Sequence, residues 1–198
     1  MEPFTTLDAR AVPIPRANVD TDQILPARFL QKPRANDFGA YLFRDVRTLP
    51  GGAPNPVFPI DADPYRGASI LVAGRNFGCG SSREHAVWAL ADHGIRAIIA
   101  PSFGDIFRSN ALKNGLLPIA VPDDVAARMC ALLQATPGAP MTVDLERQVV
   151  RGLNQETHPF AIEPFAKECL LQGLDELGYT LRQIDDVRAF EKRFEAAS

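Results

Sequence analysis

The chain of 198 residues is long enough for one domain or at most two, and chains of this size bury roughly 70 to 75% of their unfolded surface. Its 46% hydrophobic and 23% charged residues exclude disorder as its main character. With 21 Lys and Arg against 24 Asp and Glu, the net charge is −3, so no positive field exists to hold a polyphosphate backbone, and nucleic acid is not expected as a ligand.

In chain order, Met1 to Thr6 lacks the basic and apolar regions of a secretory signal, and no later stretch approaches the ~20 apolar residues that span a bilayer. The expectation is a cytoplasmic protein without a membrane contact. A strand is predicted over Thr6–Ile14. From there to residue 65 the sequence is irregular and punctuated by proline, at Val12-Pro13-Ile14-Pro15, Lys32-Pro33-Arg34 and Leu49-Pro50-Gly51-Gly52-Ala53-Pro54. Arg28 to Gly39, charged and carrying Pro and Gly, reads as an exposed, mobile loop.

Regular patterning begins at Ala68. Ala68 to Ala73 is a short apolar run ended by Gly74, the signature of a strand buried on both faces. A glycine-rich turn follows, then a helix with Val87, Leu90 and Ala91 on one face and Gly94 at its end. Arg96 to Ala100 is a second buried strand. Ser102 and Asp105 predict the next helix start, with Phe103, Ile106, Phe107 and Ala111 as its apolar face and Gly115 closing it before the strand Leu117 to Val121. This β-α-β-α-β unit implies a parallel sheet. A third helix after Pro122 presents Val125, Met129, Leu132 and Leu133, and short strands are predicted at Met141 to Leu145, Val149 to Val150 and Phe160 to Ile162. The end is helical, Phe165 to Leu171 and then Leu181, Ile184, Val187, Phe190 and Phe194 at spacings of three and four. The fold class is α/β, one domain over 1–198 with an irregular section over 1–65.

Three cysteines, Cys79, Cys130 and Cys169, are an odd number without C-x-x-C spacing. They suit free thiols better than a disulfide framework, and they cannot supply the about four ligands of a 4Fe-4S cluster.

The chemistry concentrates at residues 76 to 85, Asn-Phe-Gly-Cys-Gly-Ser-Ser-Arg-Glu-His, between a buried strand and a helix, where parallel sheets bind ligands. A dinucleotide fingerprint fails because Arg83 stands where the third glycine belongs, and the turn has no G-K-[ST] for a P-loop. A nucleophile elbow fails for Ser81, Ser82 and Cys79 alike, since none has glycine both two residues before and two residues after it; Ser82 has Gly80 before it but Glu84 after. What remains is an anion site: two glycines let backbone N–H groups converge at a helix N-terminus, and Arg83 adds a fork shaped for a carboxylate. Plain capping by a Ser81-x-x-Glu84 box is the competing reading. Arg83 argues against it, because a cation in a first turn opposes the helix dipole unless an anion joins it. Asp20-Thr21-Asp22, by residue type alone, reads as turn or cap chemistry, and Lys32 and Arg34 as solvated charges.

This turn, with Asn18-Val19-Asp20-Thr21-Asp22-Gln23-Ile24 upstream and Ala100-Pro101-Ser102-Phe103 through Asn110 to Leu116-Leu117-Pro118 downstream, closely resembles the small subunits of 3-isopropylmalate dehydratase, the swivelling domain of the aconitase superfamily. The resemblance runs from about residue 10 to about residue 195. It implies a swivelling β/β/α domain, a hydro-lyase reaction in leucine biosynthesis, and a heterodimer with a large subunit that holds a 4Fe-4S cluster, with no cofactor or metal in this chain. The reaction would remove water from 2-isopropylmalate and return it at the neighbouring carbon. By the same resemblance Ser81 is the catalytic base, and Ser82, Arg83 and Gly80 bind a carboxylate of the small dicarboxylate substrate. Thr21 and Asp22 line the cleft. The loop at about 28–39 reaches over the substrate, with the choice between Lys32 and Arg34 as its closing cation left open.

Energetics make the turn half of a site. Using a serine alcohol as a base near neutrality costs about 11 kcal/mol, whereas a helix N-terminus supplies at most ~2 kcal/mol. The remainder must come from donors elsewhere, from a closed dry cavity, or from proton transfer concerted with departure at a metal, which would sit on the partner. Three alternatives share these residues: a related dehydratase for citraconate or 2-methylmalate, a stand-alone anion-binding module, and a thiol enzyme built on Cys79. The last would need His85, six residues on and about one and two-thirds turns away. His85, His93 and His158 have no metal-ligand spacing and read as surface or capping residues, and Trp88 reads as core or subunit interface.

Overall fold

The computed structural model describes the chain apart from residues 35, 36, 82, 185–187, 189, 191 and 194–198. Among the described residues the elements are β1 (Thr6–Ile14), α1 (Thr21–Ile24), α2 (Arg44–Arg47), β2 (Ile70–Ala73), α3 (Glu84–Asp92), β3 (Ala97–Ala100), α4 (Asp105–Lys113), β4 (Leu117–Ala120), α5 (Asp123–Ala135), β5 (Pro140–Asp144), β6 (Val149–Arg151), β7 (Thr157–Pro159), α6 (Pro164–Gln172) and α7 (Glu176–Arg182). Short 3-10 turns punctuate residues 27–65. No helix of the described residues is long and apolar enough to cross a membrane.

The strands form one sheet in the order β4-β3-β2-β1-β5-β6-β7. The pairs from β1 to β4 are parallel and those from β1 through β5 and β6 to β7 antiparallel. β1 joins the halves: Thr6 to Arg10 pair with β5, and Ala11 to Ile14 with β2. Its burial changes at the same point, from alternation to four consecutive buried residues, as expected where a sheet with one covered face passes into one covered on both. Pro13 lies within β1, inside the predicted strand Thr6–Ile14. It is accommodated because β1 has a neighbour on one side only at that level.

Side-chain alternation along the parallel strands feeds two cores. Leu71, Ala73, Ile98 and Ala100 face α3, α4 and the irregular section, while Ile70, Val72, Ala97 and Ile99 face α5 and the antiparallel strands. The irregular section owes its order to the first core: Phe38, Leu42, Phe43, Phe58 and Ile60 are all buried in it. The described residues of the 28–39 loop are tied to the rest of the fold at three points. Phe38 is fully buried, Arg28 pairs with Asp45, and Arg34 makes a two-pronged ion pair with Asp92 at 2.9 and 3.0 Å.

Other boundaries differ from the sequence reading. The last strand is Thr157–Pro159 rather than Phe160 to Ile162, since Phe160 turns into the second core. α4 begins after Gly104, and Ser102 does not cap it. Ile106 is 53% exposed, so the buried face of α4 is Phe107 and Ala111. Leu181 and Phe190, placed on a buried stripe by their spacing, are 55% and 61% exposed; Val187 and Phe194 lie outside the described residues.

Candidate active site

The corner between β2 and α3 is built from three chain segments. Val19 to Thr21 runs beside residues 78 to 81: the Gly78 N–H donates to the Val19 carbonyl at 2.7 Å, and the Thr21 N–H donates to the Cys79 carbonyl at 3.0 Å. On the other flank the Phe77 N–H donates to the Ser102 carbonyl at 3.0 Å, and the Gly104 N–H donates to the Phe77 carbonyl at 2.9 Å. Gly78 is required by the packing, since its φ is 71° and a Cβ there would stand 2.2 Å from Cγ of Phe107. Gly80, at φ 89°, turns the chain outward.

Two asparagines that sequence reasoning passed over lock the ends of the strands. Asn18 and Asn76 both adopt left-handed backbone, at φ 55° and 60°, and Asn76 Nδ2 donates to Asn18 Oδ1 at 2.8 Å. The Asn76 N–H donates to Ser102 Oγ at 2.9 Å. Asparagine is among the few residues that tolerate this conformation, so an Asn at each strand end was the available signal.

No capping box forms at α3. Arg83 occupies the N-cap in extended conformation without a side-chain cap, and Glu84 instead accepts from Asn114 at 2.9 Å. Ser81 is exposed. Among the described residues no acceptor meets the backbone N–H groups of Gly80, Ser81, Glu84 or His85. The result is an exposed serine beside N–H donors that meet no acceptor among the described residues, at the positive end of a nine-residue helix, an arrangement that favours an anion.

The expected residues divide between this corner and elsewhere. Arg83 and Asp22 come together as an ion pair, with the Arg83 side chain 16% and that of Asp22 55% exposed. Thr21 is brought to the corner but turned inward: it is 2% exposed, and its hydroxyl donates to the Ser81 carbonyl at 2.9 Å. It does not line an open cleft. Asp20 is the cap that its residue type suggested, accepting from the Gln23 N–H at 2.7 Å. Ser82 lies outside the described residues.

Arg34 does not reach the corner. Its guanidinium lies 5.0 Å from the Trp88 ring and is held by Asp92 at the far end of α3, nine residues and so roughly 13.5 Å along the helix from Arg83. Lys32 is exposed and makes no ion pair among the described residues. His85 packs against Trp88 and Phe38, with ring centroids 4.4 and 5.6 Å apart. Its ring therefore belongs to an aromatic group that also includes the partly buried Trp88.

Cys79 is half-buried, whereas Cys130 and Cys169 are buried in other parts of the fold. Cys130 donates to the Val72 carbonyl, and burial pushes its thiol up to about 11. These donors do not fit an iron-sulfur cluster, and no group of three or more His, Cys, Asp or Glu among the described residues could hold a metal.

Comparison with known proteins gives a consistent assignment. The family described as aconitase C-terminal domain matches residues 1–124, and LeuD_N matches residues 127–164. The 3-isopropylmalate dehydratase small subunit of Rhodospirillum centenum is 50% identical over 193 residues, which cover 98% of this chain and 95% of that protein. The protein of the same name from Anaeromyxobacter dehalogenans is 51% identical over 191 residues, 96% of this chain and 98% of that one. Among solved structures, 3-isopropylmalate dehydratase from Methanocaldococcus jannaschii superposes with a TM-score of 0.68 at 26% identity, covering 94% of this chain and 99% of that one.

Proposed function

We infer the role of this chain from its family: it belongs to the small subunits of 3-isopropylmalate dehydratase, within the aconitase C-terminal domain family. It is the small subunit of a hydro-lyase of leucine biosynthesis and works with a large subunit. The reading extends further, to one swivel domain over 1–198, in the cytoplasm, that supplies half of a site for 2-isopropylmalate. The 4Fe-4S cluster belongs on the large subunit, where it would act as Lewis acid toward the departing hydroxyl.

The observation that carries this reading is the β2–α3 corner, where the exposed Ser81 and N–H donors that meet no acceptor among the described residues stand beside the guanidinium of Arg83. Arg83 offers two parallel N–H bonds to a substrate carboxylate, and Asp22 holds that guanidinium in place until the substrate arrives. The N–H groups of Gly80 and Ser81 take up charge that accumulates on the same carboxylate. Ser81 takes the proton from the carbon next to a carboxylate during dehydration and returns it during rehydration. Ser82 belongs with Arg83 in carboxylate binding. Of the loop cations, Lys32 is the better candidate to meet the substrate, because Arg34 is committed to Asp92.

The test is anaerobic reconstitution with the large subunit, assayed on 2-isopropylmalate and on citraconate-type acids. Turnover of isopropylmalate by the pair and none by this chain alone is expected. Turnover by the metal-free chain alone, or a clear preference for citraconate, would overturn the assignment.

A further inference from the structure

Thr21 is the only polar residue among the described residues that is fully buried, at 2% exposure, and it reaches across 60 positions of sequence to a single atom, the Ser81 carbonyl oxygen, at 2.9 Å. The contact closes a set of three. The Gly78 N–H on Val19 and the Thr21 N–H on Cys79 already tie the start of the turn to the segment before α1, and the Thr21 hydroxyl ties its end. Beyond Cys79 the turn has no other backbone tie among the described residues until the Ala86 N–H meets the Arg83 carbonyl. Gly80, at φ 89°, would otherwise leave the Ser81 peptide free to rotate.

We propose that Thr21 is a positioning residue: its buried hydroxyl fixes the Ser81 carbonyl and thereby the direction in which the Ser81 side chain points. This rests on the reading of Ser81 as the base. A base displaced by about 1 Å loses about a hundred-fold in rate, and the loss falls on kcat when the contact governs the transition state rather than uniform binding. The substrate has no route to the Thr21 hydroxyl, which is buried, so KM should not report on it.

The experiment uses Thr21→Val, which keeps the shape and removes the hydroxyl, and Thr21→Ser, which keeps the hydroxyl. In the reconstituted two-subunit enzyme, Thr21→Val should lower kcat at least about ten-fold with KM within about two-fold, and Thr21→Ser should stay within about three-fold of the parent. In the full small-subunit chain alone, Thr21→Val should speed hydrogen exchange at the Gly78 and Ala86 amides, whose bonds to the Val19 and Arg83 carbonyls border the turn, while leaving the strand amides of β2 and β3 protected. Thr21→Ala removes the hydroxyl a second way if the valine variant does not fold. Unchanged kcat in Thr21→Val, equal losses in the Val and Ser variants, a change confined to KM, or unchanged exchange at the turn would each overturn the proposal. If the parent pair does not turn over isopropylmalate, the reaction assignment falls, while the exchange measurement still decides whether Thr21 holds the turn.

Discussion

Two strand-to-helix corners sit side by side at the same edge of the parallel sheet, β2 to α3 and β3 to α4, and they use similar residues to opposite ends. Each has a serine, an aromatic residue and glycine. At the second corner every one of these is engaged: Ser102 Oγ accepts from Asn76, Phe103 packs edge-on against Phe77, and Gly104 approaches so closely that a Cβ would stand 2.6 Å from the Gly78 carbonyl. At the first corner Ser81 is exposed and several N–H groups lack acceptors among the described residues. Position at the carboxyl edge of a parallel sheet is thus not sufficient for a site. One corner is the support, and among the described residues the corner it supports leaves several N–H groups without an acceptor.

The sharpest break in this contrast is serine against serine. In the reconstituted enzyme Ser81→Ala should lower kcat by about 10² to 10⁴, the range of a lost general base, with the fold intact. Ser102→Ala loses one exposed hydrogen bond, about 0.5 to 1.5 kcal/mol of stability, and should leave kcat within about three-fold of the parent. Equal kinetic effects of the two substitutions would mean that the first corner is no more catalytic than the second.

Gly78→Ala tests the contact between the corners. It forces a left-handed conformation on alanine, about 1 to 2 kcal/mol, and drives a methyl into the Phe107 ring, a further 1 to 3 kcal/mol or so. A stability loss of about 2 to 5 kcal/mol by urea denaturation is expected. A loss below 1 kcal/mol or so would show that the α4 side yields and that the support is loose.

Arg83→Lys comes next. It retains the charge but loses the two-pronged geometry, so KM for isopropylmalate should rise about ten-fold or more while folding is little changed. A KM that stays at the parent value would place carboxylate recognition elsewhere.

The first corner was more legible in the sequence than its support. Two glycines around Cys79 and a cation at the start of a helix carry a local meaning that needs no neighbours, and Thr6 to Ile14 declared itself a strand with the observed limits. The apparent capping box was a false signal, since Ser81 and Glu84 have the right spacing but Asn114 claims the glutamate. Thr21 illustrates the deeper limit. Its residue type suggested a turn and its motif suggested a cleft, but only long-range pairing could show its hydroxyl on a carbonyl 60 positions away. The same holds for the 28–39 loop: Phe38 is buried by contacts with α3 and the first core, and no local periodicity announces such an anchor. Leu181 and Phe190 show the converse, a regular spacing whose face the described fold leaves exposed.

The smallest effect lies at the opposite ends of the two helices. α3 finishes at His93, which is half-buried, while α4 finishes at the exposed Lys113, paired with Glu176. Burial, and then the positive charge of Arg47, pull the His93 imidazole below its ordinary value, with Asp61 and Asp37 opposing more weakly. The folded protein resists a proton that the unfolded chain accepts near its ordinary value of about 6.5, so His93 contributes no penalty above that pH. Stability is lost as pH falls below it toward the lowered native value. Urea midpoints measured from pH 7.5 to 5.5 should therefore fall more steeply for the parent than for His93→Gln, which cannot take the proton. Lys113→Gln should track the parent, because its ion pair with Glu176 is exposed on both sides and such pairs add little to stability. Parallel midpoint curves for the parent and His93→Gln would show that this end of α3 tolerates the charge, and that the two helices differ functionally only at their N-termini.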